Sequence, residues 1–255
     1  MPRFEEYSNK YTTLKLERRN GILQVTLHTD GREMQWGPVA HSEFPRAFQD
    51  IGNDKENRVV ILTGTGKEFL GPKSVPGPRY KLPLMEWDQI HSEGVRMLQN
   101  MLNIDAPMIS AVNGPATRHS ELPLLCDIVL ASETACFHDS GHFENGQVPG
   151  DGANIVYPLL LGLNRARYFL LMGQSLSAQD ALRLGLVNEV LPPEDLLVRA
   201  WEIAEKLVEH PPLQLKYTRM VLTEDLRRRL QEHLGYSLIL EAMADQERPE
   251  PPERH

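Results

Sequence analysis

The chain has 255 residues, 41% of them hydrophobic and 24% charged, and a formal net charge of −8. That is enough chain to bury most of its apolar surface in one large domain, and the acidic balance argues against the basic face on which nucleic-acid binders hold phosphate. The basic cluster Arg227, Arg228 and Arg229 follows Glu224 and Asp225 in a helical pattern and reads as a solvated helix face. No apolar run approaches the roughly 20 residues that span a bilayer, and residues 1–10 lack an apolar signal-peptide core, so a soluble, cytoplasmic protein is expected. Cys126 and Cys136 each sit in an apolar run and read as reduced core thiols.

In chain order, residues 21–29 and 59–63 are β-branched runs bounded by Gly, Asp and Asn, and they predict strands. Between them residues 41–51 have helical spacing, with Phe44, Ala47, Phe48 and Ile51 on one face. Residues 64–83 are dense in Gly and Pro and predict a long irregular loop, a lid or wall for a site. A helix is expected over 87–102, then strands over 107–113 and 127–131 separated by a short apolar turn of helix. Helices follow over 155–161, 164–172 and 177–184, the last with Ser177 and Asp180 in a capping-box variant and Gly185 as its C-cap. Residues 186–191 predict a last strand, and residues 195–209, 213–222 and 226–244 three amphipathic helices. In the last of these Leu230, Leu234, Ile239 and Met243 lie within a broad apolar stripe, more than a peripheral helix needs for its own packing. The division expected is a core over 1–194, a helical oligomerisation region over 195–245 and a disordered tail over 246–255.

Two loops carry the chemistry. Residues 141–154 are glycine-rich, follow a short apolar strand, and contain both His142 and Asp151. A neutral imidazole can take a proton from water while a carboxylate fixes its tautomer and stabilises the imidazolium. A second strand-end loop, 113–123, holds His119 and Glu121, and two such loops with histidines point to one site. Asp139 and Glu144 read as solvated loop charges, and His28, His91, His138, His210 and His233 as structural or surface residues.

Three features together resemble the crotonase superfamily of enoyl-CoA hydratases and isomerases. They are the strand from Ile109 to Gly114 with Cys126-Asp127-Ile128 after it, the turn Val148-Pro149-Gly150, and the segment from Ser177-Ala178 to Gly185-Leu186-Val187. The resemblance covers about residues 14–244 and implies an α/β fold, a spiral of ββα units whose C-terminal helices form trimers, often paired into hexamers. The chain departs from the thioester enzymes where their oxyanion hole is built. Thr117-Arg118-His119-Ser120 replaces a run of glycines, and Phe69 is followed by Leu70-Gly71-Pro72-Lys73-Ser74, in which Pro72 has no N–H to donate. His142 stands where hydratases carry one of two catalytic glutamates, and Glu121 aligns with the other, although Pro123 makes it read as the start of a helix.

The altered pattern is similar to the cofactor-independent β-diketone hydrolase branch typified by 6-oxocamphor hydrolase, in Trp36 with His41, His119 with Glu121-Leu122-Pro123, Gly141-His142-Phe143, residues 148–153, and Glu241. That resemblance implies hydrolytic cleavage of a C–C bond between two carbonyls of a small-molecule diketone. His142 oriented by Asp151 would activate water, His119 and Trp36 would hydrogen-bond the carbonyl that becomes an enolate, and His41 and Glu241 would lie near the substrate. The plain alternatives are a core aromatic for Trp36, a helix start for His41, and a partner for His41 or a surface carboxylate for Glu241. No cluster has metal-ligand spacing in sequence and the diketone is its own electron sink, so no metal or organic cofactor is expected. The rivals are a CoA-thioester hydratase, isomerase or hydrolase using Glu121, and a catalytically silent binding protein of the same fold.

Overall fold

A computed structural model of the chain describes residues 3–71 and 80–250. Its first half runs α1 (Phe4–Tyr7), β1 (Leu14–Arg19), β2 (Ile22–Leu27), α2 (Pro38–Asn53), β3 (Val59–Gly64), α3 (Leu84–Leu102), β4 (Met108–Val112) and α4 (Glu121–Leu124). Then come β5 (Ile128–Ser132), β6 (Cys136–His138), a 3₁₀ turn (Phe143–Asn145), α5 (Ala153–Leu161), α6 (Leu163–Leu171), β7 (Ser175–Ser177), α7 (Ala178–Arg183), β8 (Glu189–Leu191), α8 (Pro193–Val208) and α9 (Pro212–Asp245).

Among the described residues the main sheet has six strands in the order β1-β2-β3-β4-β5-β8. Only β1 and β2 pair antiparallel; every later pairing is parallel. Parallel strands need covered crossovers, which is why the central strands are apolar on both faces. Val60 and Leu62 face the large core with α2 and α3, whereas Val59 and Ile61, with Ile109, Ala111 and Leu130, pack under Leu196, Ala200 and Ala204 of α8.

Parallel bridges Gln35–Gly71, Leu70–Ala116 and Ala116–Phe137 link the segments that follow β2, β3, β4 and β5 into a second, shorter ladder. The main sheet and this ladder make successive ββα turns of a spiral. Glycine is required where the turns touch, since a Cβ on Gly114 would lie 1.8 Å from the Lys67 carbonyl oxygen.

Several expectations needed correction. β1 is an additional strand, paired with β2 through a tight turn at Asn20 and Gly21. β6 and β7 form an antiparallel pair that was expected as neither strand. The helices expected over 213–222 and 226–244 are one continuous helix, α9, because nothing from Thr223 to Asp225 breaks it and Thr223 hydrogen-bonds the Arg219 carbonyl within it. Its apolar stripe also divides: Leu230, Leu234 and Leu238 are buried, while Ile239 and Met243 are 52% and 65% exposed. Ser177 does cap α7, accepting the Asp180 N–H at 3.1 Å. Both cysteines are free thiols. Of the tail expected to be disordered, Lys81 N–H donates to the Pro249 carbonyl and Arg248 pairs with Asp245, while 251–255 lie outside the described residues. So do residues 72–79 of the lid expected over 64–83. No helix of the described residues is long and apolar enough to cross a membrane.

Candidate active site

The short ladder is what assembles the site. Trp36 N–H donates to the Gly71 carbonyl at 2.9 Å, Thr117 N–H to Leu70 at 2.9 Å, His138 N–H to Ala116 at 3.1 Å and Ser140 N–H to Thr117 at 3.2 Å. Neighbouring strands lie about 4.8 Å apart, so segments distant in the chain deliver Trp36, His119 and His142 side by side. Asp151 arrives from another direction. Its loop is pinned to α9, where Ser237 Oγ donates to the Gly150 carbonyl at 2.7 Å and a Cβ on Gly150 would meet the Ser237 carbonyl oxygen at 2.4 Å. Glu241 follows Ser237 by one helical turn and so faces the same space.

Asp151 stands between the two histidines. One of its oxygens, Oδ2, is 3.2 Å from His119 Nδ1 and 3.3 Å from His142 Nε2. His119 Nδ1 is also 2.8 Å from Glu121 Oε1, and the His119 ring lies with its centroid 4.1 Å from that of Trp36. His142 Nε2 has Glu241 Oε1 at 3.6 Å, while its Nδ1 is hydrogen-bonded to Asp139 Oδ1. One oxygen each of Asp139, Asp151 and Glu241 (Oδ2, Oδ1 and Oε2) is buried with no hydrogen-bond partner. His119 itself takes a left-handed backbone conformation, φ 42°, which non-glycine residues adopt at a cost and which recurs at functional sites.

Burial and mutual charge set the protonation of this group. Burial lowers the His142 pKa, but the Asp151 charge and the hydrogen bond to Asp139 outweigh it, leaving the imidazole well above its usual 6.5. His119 is raised in the same way by Asp151 and Glu121. Burial by itself would raise Asp151, yet the two imidazoles hold it well below the usual carboxylate range. Burial and the Asp151 charge push Glu121 up to about 7 and Glu241 up to about 8. The pocket thus pairs one committed anion with two carboxyls of raised proton affinity and two histidines that favour the charged form.

Of the residues singled out in the sequence, His142, Asp151, His119, Trp36 and Glu241 converge on this cluster. Glu241 is neither a surface carboxylate nor the partner of His41. His41 instead bonds Glu93 Oε2 through Nδ1 at 2.8 Å, and its ring lies 5.8 Å from that of Trp36. Burial keeps His41 below its usual pKa. Glu121 does begin α4, and it is also a member of the site. Asp139, expected to be a solvated loop charge, is buried against His142 because the ladder turns its segment inward. Its spacing, three residues before His142, was the signal available. Glu93 gave none, since its partner lies 52 residues away on another helix.

Trp36, His41 and Glu93 also line a cavity of about 460 Å³ with Pro38, Leu82 and Ile90. A volume of this order suits a small organic ligand, and the lining mixes apolar walls with a few polar groups. His119, Glu121 and Asp151 place ligand atoms within 4.8 Å of one another, a spacing that can hold a metal ion; the same separations serve as hydrogen bonds between histidine and carboxylate.

Residues 17–247 match the family described as Enoyl-CoA hydratase/isomerase. The chain is 28% identical to the short-chain-enoyl-CoA hydratase of Clostridium acetobutylicum over 83% of this chain and 81% of that one. It is 32% identical to the probable peroxisomal enoyl-CoA hydratase 1 of Arabidopsis thaliana, over 78% of this chain and 72% of that one. Among solved structures, a beta-diketone hydrolase from the cyanobacterium Anabaena sp. PCC 7120, bound to (S)-3-oxocyclohexyl acetic acid, superposes with a TM-score of 0.92 at 47% identity, covering 97% of this chain and 98% of that one. An enoyl-CoA hydratase/isomerase from Mycobacterium paratuberculosis superposes with a TM-score of 0.83 at 27% identity, covering 92% and 94%.

Proposed function

The chain belongs to the enoyl-CoA hydratase/isomerase family, the crotonase superfamily, and from that premise we propose that it is a hydrolase that opens a cyclic β-diketone between its two carbonyls by a retro-Claisen reaction, releasing a keto acid. The observation that carries this reading is the cluster in which Asp151 bridges His119 and His142, with the Trp36 ring tilted against that of His119 at 4.1 Å. The beta-diketone hydrolase at 47% identity adds support through its bound molecule, a cyclic ketone bearing an acetic acid arm. Such a keto acid is what hydrolysis of a bicyclic 1,3-diketone produces.

A neutral ketone is a poor electrophile for neutral water, so the first step needs a base. His142 in its neutral form takes a proton from water as the water oxygen bonds to one carbonyl carbon; general-base help of this kind contributes about 10²- to 10⁴-fold. Collapse of the adduct breaks the C–C bond, and the electron pair moves onto the second carbonyl as an enolate. Donors at that oxygen lower the barrier by about 3 kcal/mol each. In this reading the Trp36 indole N–H and the charged His119 ring supply them. The imidazolium of His142 then protonates the enolate carbon and the base is restored. The cavity beside Trp36 and His41 receives the ring of the substrate.

A second reading, CoA-thioester hydration, draws on the names of the 28% and 32% identical relatives and on Glu121 lying in the cluster. Against it stand Pro72, which offers no N–H to an oxyanion hole, and the engagement of Glu121 with His119. A panel of cyclic 1,3-diketones, followed by loss of diketone absorbance with the product identified, separates the two. Keto-acid formation with no hydration of crotonyl-CoA is the expected result, and the reverse pattern overturns the proposal. The reaction is expected to survive exhaustive chelation; activity abolished by a chelator and restored by a divalent ion would assign the His119, Glu121 and Asp151 group to a metal.

A further inference from the structure

His142 has a carboxylate on each side, and the two do different things. Asp139 lies between two ladder bonds, those of His138 N–H to Ala116 and Ser140 N–H to Thr117, so its backbone is fixed on both sides. One of its oxygens takes His142 Nδ1, and the other is buried with no hydrogen-bond partner among the described residues. On the opposite edge of the ring, Nε2 is 3.3 Å from Asp151 and 3.6 Å from Glu241, longer than the 2.7–3.2 Å of a normal N–H···O bond. Buried, unpartnered oxygens of Asp151 and Glu241 lie on the same two side chains.

A carboxylate only accepts, so the ring nitrogen it grips must keep its hydrogen. A neutral imidazole has one N–H, and if Asp139 holds that hydrogen on Nδ1 the lone pair falls on Nε2. If Asp151 were the orienting residue instead, the hydrogen would sit on Nε2 and the nitrogen nearest the substrate cluster would have no lone pair with which to accept a proton. We propose that Asp139 is the positioning residue that fixes His142 as its Nδ1–H tautomer, while Asp151 bridges His142 and His119 and, with Glu241, accepts a hydrogen bond from the second hydrogen of the water that Nε2 deprotonates. This assignment deepens the diketone hydrolase reading and rests on it for the identity of the reaction, although the tautomer it specifies is a property of the free protein.

The test is ¹⁵N NMR of ring-labelled histidine in the full chain, at a pH where His142 is neutral, with the His142 signals assigned by their loss in His142→Gln. The wild-type protein should show a protonated Nδ1 and a bare Nε2. Asp139→Ala should move the hydrogen to Nε2, where Asp151 and Glu241 accept it, and lower kcat by about 10²-fold or more with a smaller change in KM. Asp151→Asn should leave the hydrogen on Nδ1 even as kcat falls. Asp139→Asn, which preserves shape, serves if the alanine variant does not fold, and there the Nδ1–H population and kcat should fall together. The proposal is overturned if His142 keeps its Nδ1–H in the Asp139 variants, if Asp151→Asn is the change that switches it, or if Asp139→Ala turns over within threefold of wild type. Should the protein cleave no diketone at all, the functional reading fails while the tautomer measurement still judges the role of Asp139.

Discussion

Asp151 raises the proton affinity of His142, the histidine that in the proposed reaction has to lose its proton before it can act. The base form of His142 is the neutral ring, burial favours that form, and the charge of Asp151 with the bond to Asp139 more than reverses the preference. In that reaction activity appears as pH rises through a His142 pKa that lies above 6.5, with His119 facing the same carboxylate and Glu241 facing Nε2 of the ring. The acid limb of the kcat/KM profile should accordingly sit above 6.5. Asp151→Asn removes the largest raising influence, so the limb should move to lower pH while the plateau drops. A limb left in place by that substitution would mean that another group sets it. His142→Ala should lower kcat by at least about 10²-fold, and adding Asp151→Asn should cost little more because the pair acts as a unit. His119→Ala should weaken enolate stabilisation and raise KM as well, since the same oxygen is a ground-state carbonyl. Near-normal turnover in His142→Ala beside a dead Glu121→Gln would instead assign the chemistry to the glutamate.

Among the elements, α9 does the most to hold the site together. It contributes Glu241 directly, fixes the Asp151 loop through Ser237, and near its start buries Arg219 completely. The Arg219 guanidinium donates to Asp127 at 2.7 Å and to the carbonyls of Leu102 and Ile104, the last turn of α3 and the residue leading to β4. Asp127 uses the same oxygen to accept the Met108 N–H at 2.7 Å. Arg219→Ala would leave a half-buried carboxylate and two carbonyls short of donors, so unfolding by urea should show a loss approaching the roughly 3–5 kcal/mol for breaking one side of a buried pair. A loss under about 1 kcal/mol would show that water or Arg227 replaces it.

At the scale of the molecule, α5, α6 and α9 leave large apolar side chains in the open. Leu163, Leu171 and Met172 are 55–62% exposed, and Val221, Leu222, Tyr236 and Met243 are 65–74% exposed. Exposed apolar surface of this extent marks an interaction face, and identical chains most often close such faces by symmetry. Light scattering at micromolar concentration should therefore give the mass of an oligomer, a trimer or a hexamer built from two trimers being what the crotonase resemblance implies. A monomer mass would refute the assignment of this face to self-association.

Much of the fold was legible because the central strands are short apolar runs between glycines and prolines, and because the helices on them repeat with helical spacing. β6 and β7 were not legible, since three-residue strands such as Cys136–His138 have no periodicity and exist only because each finds the other. The site divides in the same way. Residue type and loop position put forward His142, Asp151 and His119, the family resemblance added Trp36 and Glu241, and the structure brings the five side chains together. Which carboxylate faces which nitrogen was decided by the tertiary structure alone, because Asp139 and Asp151 are both close to His142 in the chain, and only the direction in which the ladder and the α9-bound loop bring them in puts one on Nδ1 and the other on Nε2. His41 found Glu93, not Glu241, for the same reason: helix packing, which no local pattern encodes, chose its neighbour.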